Sequence, residues 1–253
     1  MSNLNIIYGL KPIKEAMQSG YSINRIYVAK ESRASGCSAI LDEAKSKSIP
    51  FDFVPQAKVN ELTRTMEHQG IAAKVSPIEY TDLKFFINFC PDITTILILD
   101  QVHHPKNLGM IIRTAVASGT AAIILTARKG ALIDDSVVRA STGAVFNIPI
   151  IKSNNLSQTI KQLKDAHFWV YGLDAKGTTD IFTLDWPTKT ALIIGNETKG
   201  MRPVIEKSCD DLVNIPLHNN MDSLNASVAA GVALFQANRS TLQKNDHTKY
   251  GHG

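Results

Sequence analysis

Cysteine is scarce in this chain: three in 253 residues, Cys37, Cys90 and Cys209, each isolated in sequence. Odd, solitary thiols fit a reducing cytoplasm and argue against a disulfide framework or a Cys-based zinc site. Long apolar runs are missing as well. None approaches the ~18 residues needed to cross a bilayer, so no membrane partner is expected. The first residues lack a basic stretch followed by an apolar one, so no secretory signal is expected. Neither sign of charge dominates: the net charge is +4, charged residues make up 20%, and no polybasic tail stands out. Charge alone therefore does not point to nucleic acid. No strand-like run leads into G-x-G-x-x-G, which leaves a conventional dinucleotide fold without support. Gly195 and Gly200 have P-loop spacing, but Met201-Arg202 stands where Lys-Ser/Thr is required. No internal repeat is visible.

What is present is an alternation of apolar runs and amphipathic stretches, with 44% hydrophobic residues overall. Residues 10–18, 38–47 and 56–66 read as helices. Residues 23–29, 51–54 and 70–75 read as strands, together a small α/β unit. The stretch 77–92 is mixed and without a clear period. A second series follows, with apolar strands at 95–100, 121–126, 168–173, 190–194 and 212–216. Helices are expected between them at 108–118, 134–141, 155–166 and 202–209, and a last one at 223–238. Strands without polar alternation, separated by helices, predict a mostly parallel sheet covered on both faces. The expected domains are 1–78, a linker 79–93, a larger domain 94–240, and a disordered tail 241–253.

Three blocks carry the chemistry. The first is Asn107-Leu108-Gly109-Met110-Ile111-Ile112-Arg113-Thr114-Ala115. Arg113 is flanked by small and apolar residues, and a guanidinium on a largely buried helix would be aimed at an anionic or polar partner. The second is Gly195-Asn196-Glu197-Thr198-Lys199-Gly200. It follows an apolar strand, where ligands of open α/β sheets bind, and glycines there allow close approach to the backbone. The third runs from Ile215-Pro216-Leu217 to Ser223-Leu224-Asn225 and a helix. That helix has one stripe of Leu224, Val228, Val232 and Phe235, and a small-residue face of Ala226, Ala229, Ala230 and Ala233. Each block alone could be an ordinary turn or core helix. His103-His104 suggests a metal pair only weakly, because adjacent residues seldom aim both rings at one ion; no metal is expected.

In this order the blocks resemble the three motifs of the SpoU (TrmH-type) RNA ribose 2′-O-methyltransferases of the SPOUT superfamily. The resemblance covers about 95–239, and Ala140-Ser141-Thr142-Gly143-Ala144 adds to it. Ile7-Tyr8-Gly9-Leu10 and His68-Gln69-Gly70-Ile71-Ala72-Ala73 are similar to the substrate-binding domain of bacterial members that modify 23S ribosomal RNA. The resemblance implies a parallel-sheet α/β domain with a deep trefoil knot, preceded by a small α/β domain that looks like a ribosomal protein. It implies a homodimer, RNA as partner, and S-adenosyl-L-methionine as cofactor, held by Gly195, Asn196, Gly200, Ile215, Leu217 and Leu224. It also implies catalysis by Arg113, with Asn107, Glu197, Ser223 and Asn225 orienting Arg113 and the ribose. The high pKa of a guanidinium favours an electrostatic clamp over a general base. One departure is His104-Pro105 where the family commonly has Asp-Pro. The expected function is methylation of a ribose 2′-hydroxyl, with a guanosine of 23S rRNA as target. The alternatives are a tRNA 2′-O-methyltransferase, or a non-catalytic RNA-binding or ribosome-assembly protein that kept the fold.

Overall fold

A computed structural model describes residues 6–31, 36–127, 130, 132–219, 221, 223–240 and 242–243. In chain order the elements are β1 (Ile6–Tyr8), α1 (Leu10–Gln18), β2 (Ile23–Ala29), α2 (Gly36–Ser46), β3 (Phe51–Val54), α3 (Gln56–Thr63), β4 (Ile71–Val75) and α4 (Leu83–Phe89). Then come β5 (Thr94–Leu99), α5 (Pro105–Ala117), β6 (Ala122–Thr126), α6 (Asp135–Ala140), a 3-10 turn at Ala144–Asn147, β7 (Ile150–Ser153) and α7 (Leu156–Asp165). The series ends with β8 (Trp169–Leu173), β9 (Thr179–Asp180), β10 (Lys189–Ile194), α8 (Pro203–Glu206), β11 (Asp211–Asn214) and α9 (Ala226–Ala237). Apart from residues 242–243, the tail from 241 lies outside the described residues.

The chain forms two compact units. The first comprises Met1–Glu79 together with Leu132–Asn147. Its sheet has the order β1-β4-β2-β3, antiparallel except for the β2–β3 pair. Tyr8, Ala29, Val59 and Ala72 form a buried cluster here. Gly9 sits at φ 89°, a backbone that favours glycine, and turns the chain from β1 into α1. The first helical N–H, that of Leu10, is satisfied by Gln69 Oε1 at 2.9 Å. A side chain 59 residues away thus caps α1 in place of a local Ser or Asp. The inclusion of 132–147 differs from the sequence expectation, which assigned that stretch to the larger domain.

The second unit comprises Tyr80–Ala131 and Ile148–Gly253. It is built on a seven-stranded sheet of order β7-β6-β5-β10-β8-β11-β9, and every pair is parallel. β5 is buried at all of its residues, Thr94–Leu99. That burial is why its sequence shows no polar alternation. Ile96, Ile98, Ile124, Ala191 and Ile193 pack with Phe86 of α4 and with Leu156, Ile160 and Leu163 of α7. α9 lies against β10 and α5. The expected linker stretch thus holds a helix, α4, N-capped by Asp82, whose carboxylate accepts from Phe85 N at 2.9 Å. Three strands escaped the sequence reading: β1, β7 and the two-residue β9. Among the described residues no helix is long and apolar enough to cross a membrane.

Candidate active site

The carboxyl ends of β5 and β10, adjacent in the sheet, bring the blocks together. After β10 the chain folds back on itself. Asn196 N donates to Gly200 O at 3.0 Å and Gly200 N to Asn196 O at 2.9 Å. A Cβ at Gly195 would overlap Met201 N and Gly200 C, so glycine is required there by the loop's own backbone, before any ligand is considered. Gly200 takes φ 69° to close the turn. Asn196 staples this loop: its Oδ1 accepts from Thr198 N and Lys199 N, both at 3.0 Å, and its Nδ2 donates to Gln101 O at 2.8 Å.

A second staple was missed by the sequence reading. Asp100 is fully buried. It accepts from Arg202 N at 3.0 Å and Arg202 Nε at 2.8 Å, and pairs with Arg202 Nη2 at 2.7 Å. The signal was a lone carboxylate directly after the apolar run Ile96–Leu99, which needs a partner at that depth.

Glu197 faces the start of α5. Its Oε1 accepts from Asn107 Nδ2 at 3.1 Å, and the N–H groups of His103 and His104 lie 3.5 Å from its two oxygens. Burial pushes its pKa up, but its own N–H, the Asn107 amide and those two backbone N–H groups outweigh burial and hold it below the ordinary 4.5. Glu197 is therefore ionised at neutral pH, a strong acceptor for positioning and a weak base. The polar chain continues. Asn225 caps α9, its Oδ1 accepting from Ser227 N at 2.9 Å and Ser227 Oγ at 2.6 Å. That leaves its Nδ2 to donate to Asn107 Oδ1 at 3.4 Å. Both amide orientations are thereby assigned by their partners, in the order Ser227, Asn225, Asn107, Glu197.

A cavity of about 380 Å³ opens beside this chain. Gly195, Asn196, Gly200, Ile215, Leu217 and Leu224 line it, as do Glu197 and Ser223. Asp174 and Lys176, not singled out from sequence, also contribute to its wall. Asn107 and Asn225 join it through Glu197.

Arg113 stands apart. It lies on the exposed face of α5 with Lys106 and Met110, while Leu108, Ile111, Ile112 and Ala115 form the buried face. It does not line the cavity, and its guanidinium makes no hydrogen bond or ion pair to a described residue. The expectation that Arg113 sits on a largely buried helix face differs from the structure, where its own position is exposed. α5 is amphipathic, and its helical phase turns Arg113 outward. In the last helix the small-residue face packs inward, with Ala230 and Ala233 fully buried, whereas Val228 and Phe235 of the apolar stripe are 49% and 46% exposed. His104 is exposed and makes no side-chain cap at the start of α5. Among the described residues no group of three or more His, Cys, Asp or Glu could hold a metal ion.

A parallel α/β domain with a ligand-sized cavity beyond its strand ends, carried with a small α/β unit, describes a class of cofactor-using enzymes. The match to known families narrows it. The SpoU rRNA methylase family model matches residues 94–235, and the model for RNA 2′-O ribose methyltransferase substrate binding matches residues 6–81. The chain belongs to the SpoU rRNA methylase family, and is an RNA methyltransferase by that membership. A Staphylococcus haemolyticus protein named for the TrmH family of tRNA/rRNA methyltransferases is 36% identical over 245 residues, 96% of this chain and 98% of its own. The SpoU methyltransferase AviRb of Streptomyces viridochromogenes, solved with AdoMet, superposes with a TM-score of 0.79 at 26% identity, covering 94% of this chain and 90% of its own. An AdoMet-bound rRNA methyltransferase of Sinorhizobium meliloti gives a TM-score of 0.77 at 29% identity over 93% and 87%.

Proposed function

We propose that this protein transfers the methyl group of S-adenosylmethionine to a ribose 2′-hydroxyl, with a guanosine of 23S rRNA as target. The observation that carries the proposal is the single cavity lined by all six residues expected to hold the cofactor, adjoining the Asn225–Asn107–Glu197 chain. The cavity fits the group chemically. Leu173, Ile194, Ile215, Leu217 and Leu224 offer apolar walls for an adenine, and Asp174, Glu197, Lys176 and Lys199 offer charges of both signs for a zwitterionic amino-acid end. When bound, the cofactor supplies the methyl electrophile.

The chain's own residues position the nucleophile. The ionised Glu197 holds Asn107, and Asn107 and Ser223 present polar groups beside the cavity. Arg113, with its guanidinium free of described partners, clamps an RNA phosphate and stabilises the negative charge that develops on the ribose oxygen as the hydroxyl proton passes to solvent water. A second copy of the chain covers the exposed stripe of Val228 and Phe235 with Met110 of α5. Arg113 shares the outer face of α5 with Met110, which supports its action at that boundary. The trefoil knot is carried by the family resemblance alone. The scarce thiols Cys90 and Cys209, isolated in sequence, support a cytoplasmic setting.

The test is methyl transfer from labelled S-adenosylmethionine to unmodified ribosomal and transfer RNA, with the modified ribose mapped. Arg113→Ala should abolish transfer and leave cofactor affinity unchanged by calorimetry; unchanged turnover would sink the assignment. Transfer to tRNA alone would replace the substrate, and failure to bind the cofactor would favour a non-catalytic RNA-binding role.

A further inference from the structure

The first unit contains a second cleft, of about 540 Å³, lined by none of the residues of the proposed active site. Tyr8, Met66, Glu67, Gln69, Arg139 and Thr142 line it, all within that unit. Its size falls within the ~300–1,000 Å³ of small-ligand sites. Its origin is composite. Tyr8, Met66, Glu67 and Gln69 fall in the stretch matching the substrate-binding model, whereas Arg139 and Thr142 fall in the stretch matching the methylase model.

The guanidinium of Arg139 is held in place. Its Nη1 donates to Tyr8 Oη at 2.7 Å, its Nη2 to Glu67 Oε2 at 2.6 Å, and its central carbon lies 5.0 Å from the Tyr8 ring centroid. The side chain nevertheless remains 40% exposed. Its charge is already paired with Glu67, so it is poorly suited to a phosphate. A planar cation fixed on one side and open on the other is suited to a flat π-system. Met66, 69% exposed, adds an apolar wall.

The floor is rigid. His68 is buried, its Nδ1 accepts from Gly70 N at 2.9 Å, and its Nε2 lies 2.6 Å from Asn60 Oδ1. Gln69 at φ 55° turns its Oε1 to Leu10 N, which leaves its Nε2 as a donor. Glu67 keeps Oε1 as an acceptor beyond its bond to Arg139.

We propose that this cleft takes one unstacked nucleobase of the RNA substrate, laid on the open face of Arg139 beside Met66, with its polar edge toward Gln69 Nε2 and Glu67 Oε1. Proteins read single-stranded RNA by such stacking on aromatic or guanidinium planes combined with hydrogen bonds to the base edge. The inference rests on the reading of RNA as substrate. It adds that the substrate-binding unit holds a nucleotide of its own, in a pocket that the methylase stretch completes.

The experiment measures fluorescence anisotropy of the full-length protein with a fluorescein-labelled 12-nucleotide single-stranded RNA. Arg139→Lys keeps the charge and loses the plane; Met66→Ala removes the exposed wall and leaves the core untouched. Each should raise Kd at least fivefold, with the salt dependence and the S-adenosylmethionine affinity unchanged. In methyl transfer to ribosomal RNA, KM should rise with kcat held. Wild-type affinity in Met66→Ala, or in a folded Arg139→Lys, would overturn the inference, as would failure of the wild type to bind the oligonucleotide. If Arg139→Lys does not fold, Met66→Ala and Met66→Glu decide. Loss of all methyl transfer by the wild type would instead overturn the proposed function, so the two failures are separable.

Discussion

Two loops of this protein solve the same problem by different chemistry. The loop 195–202 beside the cavity and the loop 64–70 beside the second cleft are both short, and both are pinned by side chains. The first is pinned by ions. Asp100 grips Arg202, and Glu197 grips Asn107. The second is pinned by a neutral ring, since His68 must accept at Nδ1 from Gly70 and so carries its proton at Nε2, toward Asn60. Charged anchors are strong when complete and costly when broken, whereas a neutral imidazole anchor is weaker and answers to pH near neutrality.

The largest expected effect follows from breaking the ionic anchor. Arg202→Ala leaves Asp100 buried without its cation and should cost about 3 kcal/mol in urea unfolding. Asp100→Asn should cost less, about 1–2 kcal/mol, because Arg202 is 39% exposed and can turn to water. Equal losses in the two variants would show that the pair acts as a unit rather than as a buried charge with a solvated partner.

Next comes Glu197→Gln. The carboxamide keeps the volume but loses the ionic acceptor for Asn107, His103 N and His104 N. A charged hydrogen bond contributes ~1.5–3 kcal/mol, so kcat for methyl transfer should fall at least tenfold. An undiminished kcat would show that Asn107 is positioned without the charge.

Much of this arrangement was legible in the sequence, and the omissions have physical causes. β5, β6 and β10 each carry an unbroken apolar run of four residues, so they could be read with boundaries within a residue or so. β1 and β7 are three and four residues long, too short for a period to show, and β9 has two. The order of the sheet, with β10 entering between β5 and β8, depends on long-range pairing that no local pattern encodes. The exposure of Arg113 was missed for a subtler reason. Met110-Ile111-Ile112 looks like continuous core, yet Met110 is 40% exposed while Ile111 and Ile112 are fully buried. Only the helical phase separates them. The cavity residues were legible because three motifs identified them together, although each loop alone resembled an ordinary turn.

A smaller effect separates the two loops by pH. Burial lowers the pKa of His68 below its ordinary 6.5. The unfolded chain then binds more protons in acid, so the stability His68 supports is complete above 6.5 and is lost as pH falls toward its folded-state value. Glu197, depressed below 4.5, gives stability that is complete above 4.5 and lost only as pH falls through its lower folded-state value. Between pH 7.5 and 5, amide exchange corrected for its intrinsic rate should therefore accelerate at Gly70 and stay constant at Thr198 and Lys199. Parallel acceleration at both loops would remove the distinction.

The smallest contrast is between two helix caps. Asn155 caps α7 by accepting from Gln158 N at 3.2 Å, and Asn225 caps α9 by accepting from Ser227 N at 2.9 Å. Replacing either by Ala should cost about 1 kcal/mol of stability. Only Asn225 also reaches into the site, through its Nδ2 on Asn107. Asn155→Ala should leave methyl transfer untouched, whereas Asn225→Ala should lower kcat by freeing Asn107 to turn. Asn225→Asp separates the two roles, because it keeps the capping oxygen and loses the donor. Stability near that of the wild type with reduced kcat is the expected result. Full activity in Asn225→Asp would reduce Asn225 to a cap like Asn155, and would leave Glu197 as the sole anchor of Asn107.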